Sequence, residues 1–207
     1  TLAVHRELAR DPELFIQLVQ WRYGRRDGGN EPAHADLTQE RREVLSNLAY
    51  HALEGWNEVP GCGADGVIVE GAFNDWAENT LRLAAEVDRR EVAEIHIGGL
   101  LARFARQRSW DDWLPVCILD FLNRPENSGL RDRIDLGVSN ARGVTTRSPY
   151  DGGERERHLA VRYRELSTRY GNSHPRVSTM LISIADGYER DAIRHDERAA
   201  VGERWRP

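Results

Sequence analysis

Apolar residues recur at helical spacing through most of the chain, and this pattern restricts the fold more than any other feature. The clearest case runs from Thr38 to Trp56, where one side of a helix is apolar and the other carries charges such as Arg41 and Glu43. The apolar side consists of Val44, Leu45, Leu48, Ala49, Ala52, Leu53 and Trp56. Alternating patterns typical of strands do not reach a useful length. We therefore predict an all-α fold, either a multi-helix bundle or a short solenoid-like stack of about seven to nine helices.

Several residues mark where helices begin, end or pack closely. Asp11 followed by Pro12 is typical of a cap and a first helical turn. A further short helix is predicted from Ser109 to Leu122, and a modest one from Glu126 to Leu136. The adjacent pair Gly98-Gly99 weakens its helix, and we expect a neighbouring helix to approach closely there.

The length of 207 residues is sufficient for one substantial core. We expect a single all-α domain over residues 1–207, with any subdivision falling near residues 123–128. The sequence opens at Thr1, and its one methionine is Met180. We therefore expect a C-terminal fragment of a longer protein.

The composition favours a bacterial, cytoplasmic protein, because the basic residues indicate the source and the cysteines a reducing compartment. All 29 basic residues are arginine, as is typical of a GC-rich coding genome, and the net charge of −5 argues against a general nucleic-acid binder. Local binding of nucleic acid by the arginine-rich second half stays open as an alternative.

No apolar run approaches the roughly 20 residues of a membrane span. Cys62 and Cys117 lie too far apart to suggest a disulfide framework or a zinc knuckle.

Motifs for metals and catalysis are incomplete. Asp65 and the following glycine resemble the middle of a calcium loop, but the other ligand positions lack carboxylates. Glu154 with His158, and Asp191 with His195, have the spacing of metal ligands on one helix face, yet each pair is half a site and is better explained as a solvated ion pair. We expect no metal and no cofactor, and the catalytic residues, if any exist, stay unknown.

The strongest candidate for a binding surface is the irregular segment from Asn140 to Gly153 with the helix that follows. Two glycines before a helix N-terminus can leave backbone N–H groups for an anion, and arginines nearby can assist. The better explanation is that Asp151 caps this helix and that Glu154 interacts favourably with its dipole. The candidate ligand-binding residues are Asn140, Arg142, Thr145, Arg147, Glu154 and His158.

The tryptophans mostly fall at helical apolar positions, which favours core packing over base stacking. Trp110 and Trp113 flank two aspartates and are the pair expected to be exposed. An acidic, aromatic corner of this kind suits a protein or peptide partner.

The second half resembles the C-terminal helical region of large multidomain bacterial proteins of unassigned function. The segments that carry the resemblance are Asn140 to Val144, Gly152 to Arg157, Tyr163-Arg164, His174 to Val177, Ile184-Ala185 and Tyr188 to Asp191, with Val59 to Gly61 and Ile95 to Leu101 in the same pattern. The resemblance implies docking or signal transmission within a larger chain, and it carries over no catalytic residue.

Two hypotheses follow from these patterns. The first is a helical protein-interaction or scaffold module without intrinsic catalysis, whose partner is another protein, another domain of the parent chain or a second copy. The alternative is an enzyme or a small-ligand or anion-binding domain with its site on residues 140–158.

Overall fold

Helices make up nearly all the regular structure in the described part of the chain. The computed structural model describes residues 2–24, 36–63, 66–69, 71–140 and 151–204. These ranges contain nine α-helices: α1 (Leu2–Leu8), α2 (Pro12–Arg22), α3 (Gln39–Glu54), α4 (Ala72–Glu86), α5 (Arg90–Gln107), α6 (Val116–Asn123), α7 (Ser128–Asn140), α8 (Glu154–Tyr170) and α9 (Pro175–Arg204). They contain no strand, only an isolated bridge between Cys62 and Ile68. The prediction of an all-α fold is confirmed.

The predicted cap at the start of α2 is present. The Asp11 side chain accepts a hydrogen bond from the Glu13 N–H at 2.8 Å, and Pro12 is the first helical residue. Thr38 caps α3 in a similar way, accepting from the Arg41 N–H at 3.4 Å. Both helices therefore begin where local sequence signals indicate.

The helix predicted from Ser109 to Leu122 is wrong as one continuous element. A short 3-10 turn (Trp110–Asp112) follows Ser109, and α6 starts only at Val116. Pro115 explains the break, because proline disfavours helical backbone at the preceding residue and donates no hydrogen bond. The next helix was expected from Glu126 to Leu136, but a second 3-10 turn (Pro125–Asn127) precedes α7, which continues to Asn140.

The apolar face predicted for α3 is only partly buried. Ala52, Leu53 and the following Trp56 are buried, whereas Val44 is 60% exposed and Leu48 is 51% exposed. The reason is that α3 packs mainly on α2. Periodicity identifies one face of a helix but does not show how much of that face its neighbours cover.

Aromatic rings form the centre of the N-terminal half of the core. Phe15 of α2 lies 5.4 Å from Trp56 and 5.7 Å from Trp76 of α4, measured between ring centroids. The indole N–H of Trp76 donates to the Leu8 carbonyl at 3.0 Å, which ties α1 to α4. The apolar cluster continues from Leu8 to Tyr188, so it includes residues from both halves of the chain.

Helices α5 and α7 pack unusually closely, as the glycine pair predicts. A Cβ at Gly98 would lie 2.7 Å from the Arg133 Cβ, and one at Gly137 would lie 2.9 Å from the Ala102 Cβ. A larger residue at either position would force the two backbones apart. The last two helices, α8 and α9, form an antiparallel hairpin that packs on α7 through α9.

Within the described ranges, no helix combines the length and apolar character required to cross a membrane.

The two adjacent glycines should respond differently to substitution. Gly98→Ala should destabilise the fold by about 1–3 kcal/mol, because the added methyl group overlaps Arg133. Gly99→Ala should be neutral or stabilising by up to about 1 kcal/mol, because its methyl group meets only Arg103 Nη1, at 3.4 Å. Urea unfolding of both variants measures the difference, and equal effects would contradict the packing described for α5 and α7.

Candidate ligand-binding site

A cavity of about 240 Å³ lies where the end of α5 meets α7, α8 and α9. We call it the aromatic cavity. It is lined by Ala102, Ala105, Arg106, Arg108, Ser109, Trp110, Trp113, Val138, Arg155, Glu156, Leu159, Tyr163 and Tyr188. Five separate parts of the chain contribute residues to this cavity. The set of lining residues therefore cannot be predicted from any one segment of the sequence.

Aromatic rings form one wall of this cavity. Tyr163 of α8 and Tyr188 of α9 are stacked, with centroids 5.6 Å apart and planes 12° apart. Trp110 meets Tyr163 edge-on at 5.2 Å. The expectation that Trp110 and Trp113 form an exposed pair is wrong, because Trp113 is 2% exposed and Trp110 is half-buried. The turn that carries them is folded inward onto α8.

Hydrogen bonds hold the 3-10 turn in place beside the cavity. The Ser109 hydroxyl accepts from the Asp112 N–H at 3.2 Å, and Arg108 Nε donates to the Asp112 carbonyl at 2.9 Å. From α8, Arg169 donates to the Trp110 carbonyl at 3.1 Å. The aromatic wall is therefore fixed by side chains from two directions.

Two arginines on the cavity lining are available to a ligand. Arg108 is paired with Asp112, whereas Arg106 and Arg155 form no ion pair within the described part of the chain. Burial raises the pKa of the Tyr163 phenol, and the positive charge of Arg106 acts in the opposite direction. Arg106 is thus close enough to influence a ring of the aromatic wall, and that phenol is neutral at physiological pH.

One acidic side chain lies within the lining. Glu156 of α8 has no exposed surface, an uncommon state for a glutamate. Its carboxyl group adds hydrogen-bonding capacity to a cavity that is otherwise aromatic, aliphatic and cationic.

The candidate residues from sequence are only partly described by the structure. Asn140 is the last residue of α7, and Arg142, Thr145 and Arg147 lie outside the described residues. Glu154 and His158 are exposed on α8 and do not line the cavity. The site on residues 140–158 therefore stays a prediction.

The same helix does contribute to the aromatic cavity, but through other positions. Arg155, Glu156 and Leu159 line it, each one or two positions from Glu154 or His158. One residue corresponds to about 100° of rotation around a helix, which separates the two sets of side chains. Sequence signals pointed to this helix but not to its buried face.

The N-terminus of α8 is occupied by a carboxylate of the protein itself. The N-cap residue is Gly153, not the expected Asp151, and its N–H donates to Asp196 Oδ1 of α9 at 2.7 Å. Arg157 forms an ion pair with the same carboxylate. A side chain at position 153 would overlap Ala192, which explains the glycine. Asp196 therefore takes the place that an anionic ligand would need at this N-terminus.

Tyr163 and Tyr188 were missed as candidate site residues because tyrosine at helical spacing is typical of a core, whereas Trp110 was predicted from the sequence as an exposed residue suited to a protein partner. Within the described chain, no three histidine, cysteine, aspartate or glutamate side chains converge as metal ligands would.

Comparison with known protein families, with curated proteins and with solved structures found no match for this chain.

Removing the Asp196 charge should weaken the fold in a pH-dependent way. Hydrogen bonds from Arg157 and from the Gly153 N–H lower the pKa of Asp196 below its ordinary 3.8. A carboxylate with a lowered folded-state pKa stabilises the fold above its unfolded pKa, and this contribution is lost as the pH falls through the folded pKa. Asp196→Asn should therefore lower the urea midpoint at pH 7, and its difference from the parent protein should shrink below pH 3.8.

Asp186→Asn is the matched control for this experiment. Asp186 pairs with Arg164 at 3.4 Å on the same hairpin but does not cap a helix. It should have a smaller effect at pH 7. A difference between Asp196→Asn and the parent that is constant down to low pH would contradict the role assigned to Asp196.

Proposed function

We propose that this chain is a helical ligand-binding module, and that the aromatic cavity takes a small molecule with a flat, apolar body and an anionic group. The observation that carries the proposal is the pairing of a fixed aromatic wall with two arginines that have no ion-pair partner in the described chain. The sequence suggested a small-ligand or anion-binding domain as the second of two hypotheses. The proposal keeps this class of function but places the site in the aromatic cavity instead of on residues 140–158.

The chemistry of the lining supports this class of ligand. Stacked and edge-on rings offer a rigid apolar surface that suits a planar group. The guanidinium groups of Arg106 and Arg155 match carboxylate or phosphate oxygens in charge and geometry. The volume of about 240 Å³ is slightly below the usual range of ligand pockets, roughly 300–1,000 Å³, which favours a compact molecule.

1-Naphthoate is a suitable probe because it combines two fused rings with a carboxylate. Isothermal titration calorimetry should show saturable binding of naphthoate and much weaker binding of the neutral 1-naphthamide. Changing both Arg106→Gln and Arg155→Gln should weaken naphthoate binding about tenfold or more, because each arginine loses a charge-assisted hydrogen bond.

Arg162→Gln provides the control for this titration, since Arg162 lies on the exposed side of α8 and pairs with Glu165. It should leave naphthoate binding unchanged. Equal affinity for naphthoate and naphthamide would contradict the anionic part of the proposal, and the absence of binding by both would contradict the aromatic part.

Self-association is a second candidate function, favoured by the outer face of the α8–α9 hairpin. Val161 of α8 and Ile182 and Ile193 of α9 are each about half exposed. Arginines on either side of Val161 in α8 pair with carboxylates of α9, as between Arg164 and Glu189 at 3.2 Å. Helix α8 supplies a row of arginines and α9 a row of carboxylates. In a dimer with a two-fold axis, α8 of one copy can lie against α9 of the other, so that the two copies present complementary charges to each other.

Analytical ultracentrifugation tests this second candidate. The parent protein should sediment as a dimer, and a variant with both Val161→Glu and Ile193→Glu should sediment as a monomer, because it places buried charge in the interface. Val116→Glu, at a residue that is 65% exposed on α6, should leave the dimer intact. A monomeric parent protein would exclude this candidate.

The cellular setting that fits both candidates is the bacterial cytoplasm, with the chain acting as one part of a longer protein. The exclusive use of arginine among basic residues supports a GC-rich bacterial source. Neither cysteine forms a disulfide within the described residues, which suits a reducing compartment.

A further inference from the structure

A second cavity, of about 290 Å³, lies where the end of α3 meets α5 and α7. We call it the glycine cavity because Gly99 and Gly137 are among its lining residues. The other lining residues are Leu53, Glu54, Ile95, His96, Arg103, Arg133 and Leu136. None of these residues lines the aromatic cavity.

Gly99 lies at the crossing of α5 and α7, where a Cβ at Gly137 would be 3.4 Å from its Cα, but a side chain at Gly99 itself would not collide with α7. A Cβ at Gly98 would overlap Arg133, so that glycine is required by the neighbouring helix. A Cβ at Gly99 would meet only Arg103 Nη1, at 3.4 Å. Since glycine lowers helix stability relative to alanine, its presence at position 99 lacks a packing explanation. What the missing side chain provides is space directly beside the Arg103 guanidinium.

Arg103 is held in a fixed position with one side directed toward that space. Its Nη2 donates to the Trp56 carbonyl at 2.7 Å, and Nη1 lies on the Gly99 side. Burial lowers the pKa of Arg103, and the negative charge of Glu54 acts in the opposite direction. Within the described residues Arg103 forms no ion pair, so its charge is half-buried and incompletely balanced.

Two other charged residues line the cavity with Arg103: Glu54, whose charge acts on Arg103, and Arg133, which pairs with Glu91. The remaining groups are neutral or apolar. His96 is 8% exposed, and burial lowers its pKa to about 4, so the imidazole is uncharged at physiological pH. Its Nε2 lies 2.9 Å from the Tyr23 hydroxyl. At the edge of the cavity, Ile95 and Leu136 are 43% and 50% exposed. An anion with a short aliphatic body would contact both kinds of surface.

We propose that the glycine cavity binds a small aliphatic carboxylate, with the carboxylate on Arg103 in the space left by Gly99 and the aliphatic body against Ile95 and Leu136. The carboxylate supplies a direct ion pair, which Glu54 does not form, for a guanidinium that is already oriented by the Trp56 carbonyl. This inference is independent of the aromatic cavity, which uses different arginines and a flat ligand.

Isobutyrate, with isobutyramide as its neutral counterpart, tests the proposal. In ¹H–¹⁵N NMR spectra of the full chain, isobutyrate should shift the Gly99 amide and the Arg103 Nε–Hε signals saturably. Isobutyramide has nearly the same shape but no charge, and it should bind at least about tenfold more weakly. Equal affinity for the two probes, or no saturable shift with isobutyrate, would overturn the proposal.

Two variants separate binding from folding. Arg103→Gln should abolish the isobutyrate shifts, and Gly99→Ala should weaken binding severalfold while leaving the protein as stable as its parent. Because Gly99→Ala favours the helix, a loss of binding there is not explained by unfolding. Arg82→Gln, on the exposed side of α4, is the control that should bind as the parent does. Unchanged affinity in Gly99→Ala and Arg103→Gln would contradict the assigned site.

Discussion

The close contact between α5 and α7 determines where both cavities lie. Helices usually pack about 8–10 Å apart, and small residues at the crossing allow the shorter distances in that range. Gly98 and Gly137 supply that small surface, each against a backbone or a short side chain of the other helix. With the crossing fixed, Ala102 and Val138 face the aromatic cavity, while Gly99 and Leu136 face the glycine cavity. A displacement of α7 would change both.

The hairpin of α8 and α9 supplies the remaining wall of the aromatic cavity. Its start is positioned by the Asp196 carboxylate on the Gly153 N–H, and its middle by the stacked rings of Tyr163 and Tyr188. This arrangement uses a helix N-terminus for structure, although such an end is also suited to bind an anion. The positive groups that line the cavity are arginine side chains instead, and they come from α5 and α8.

Local chemistry allowed several features to be predicted. The cap at Asp11 depends on neighbours within two residues, and the glycine pair at position 98 shows where a helix tolerates close approach. The errors share a different property. The exposure of Trp113 depends on where a turn folds, and the exposure of Val44, on the apolar side of α3, depends on how much of that side the neighbouring helix covers. Neither quantity is encoded in a short stretch of residues.

The sequence by itself determined that the described chain is helical, and it determined many of the helix starts, because periodicity and capping are interactions between residues that are close along the chain. Only the tertiary structure decided which side chains share a cavity. Arg106 and Arg155 are 49 residues apart in sequence, and the Gly153 N–H meets its carboxylate 43 residues later. Such pairs depend on crossing angles and helix rotation, which arise from packing all the helices at once. The helix of the predicted site was therefore accessible from sequence, and the face of that helix that lines the aromatic cavity was not.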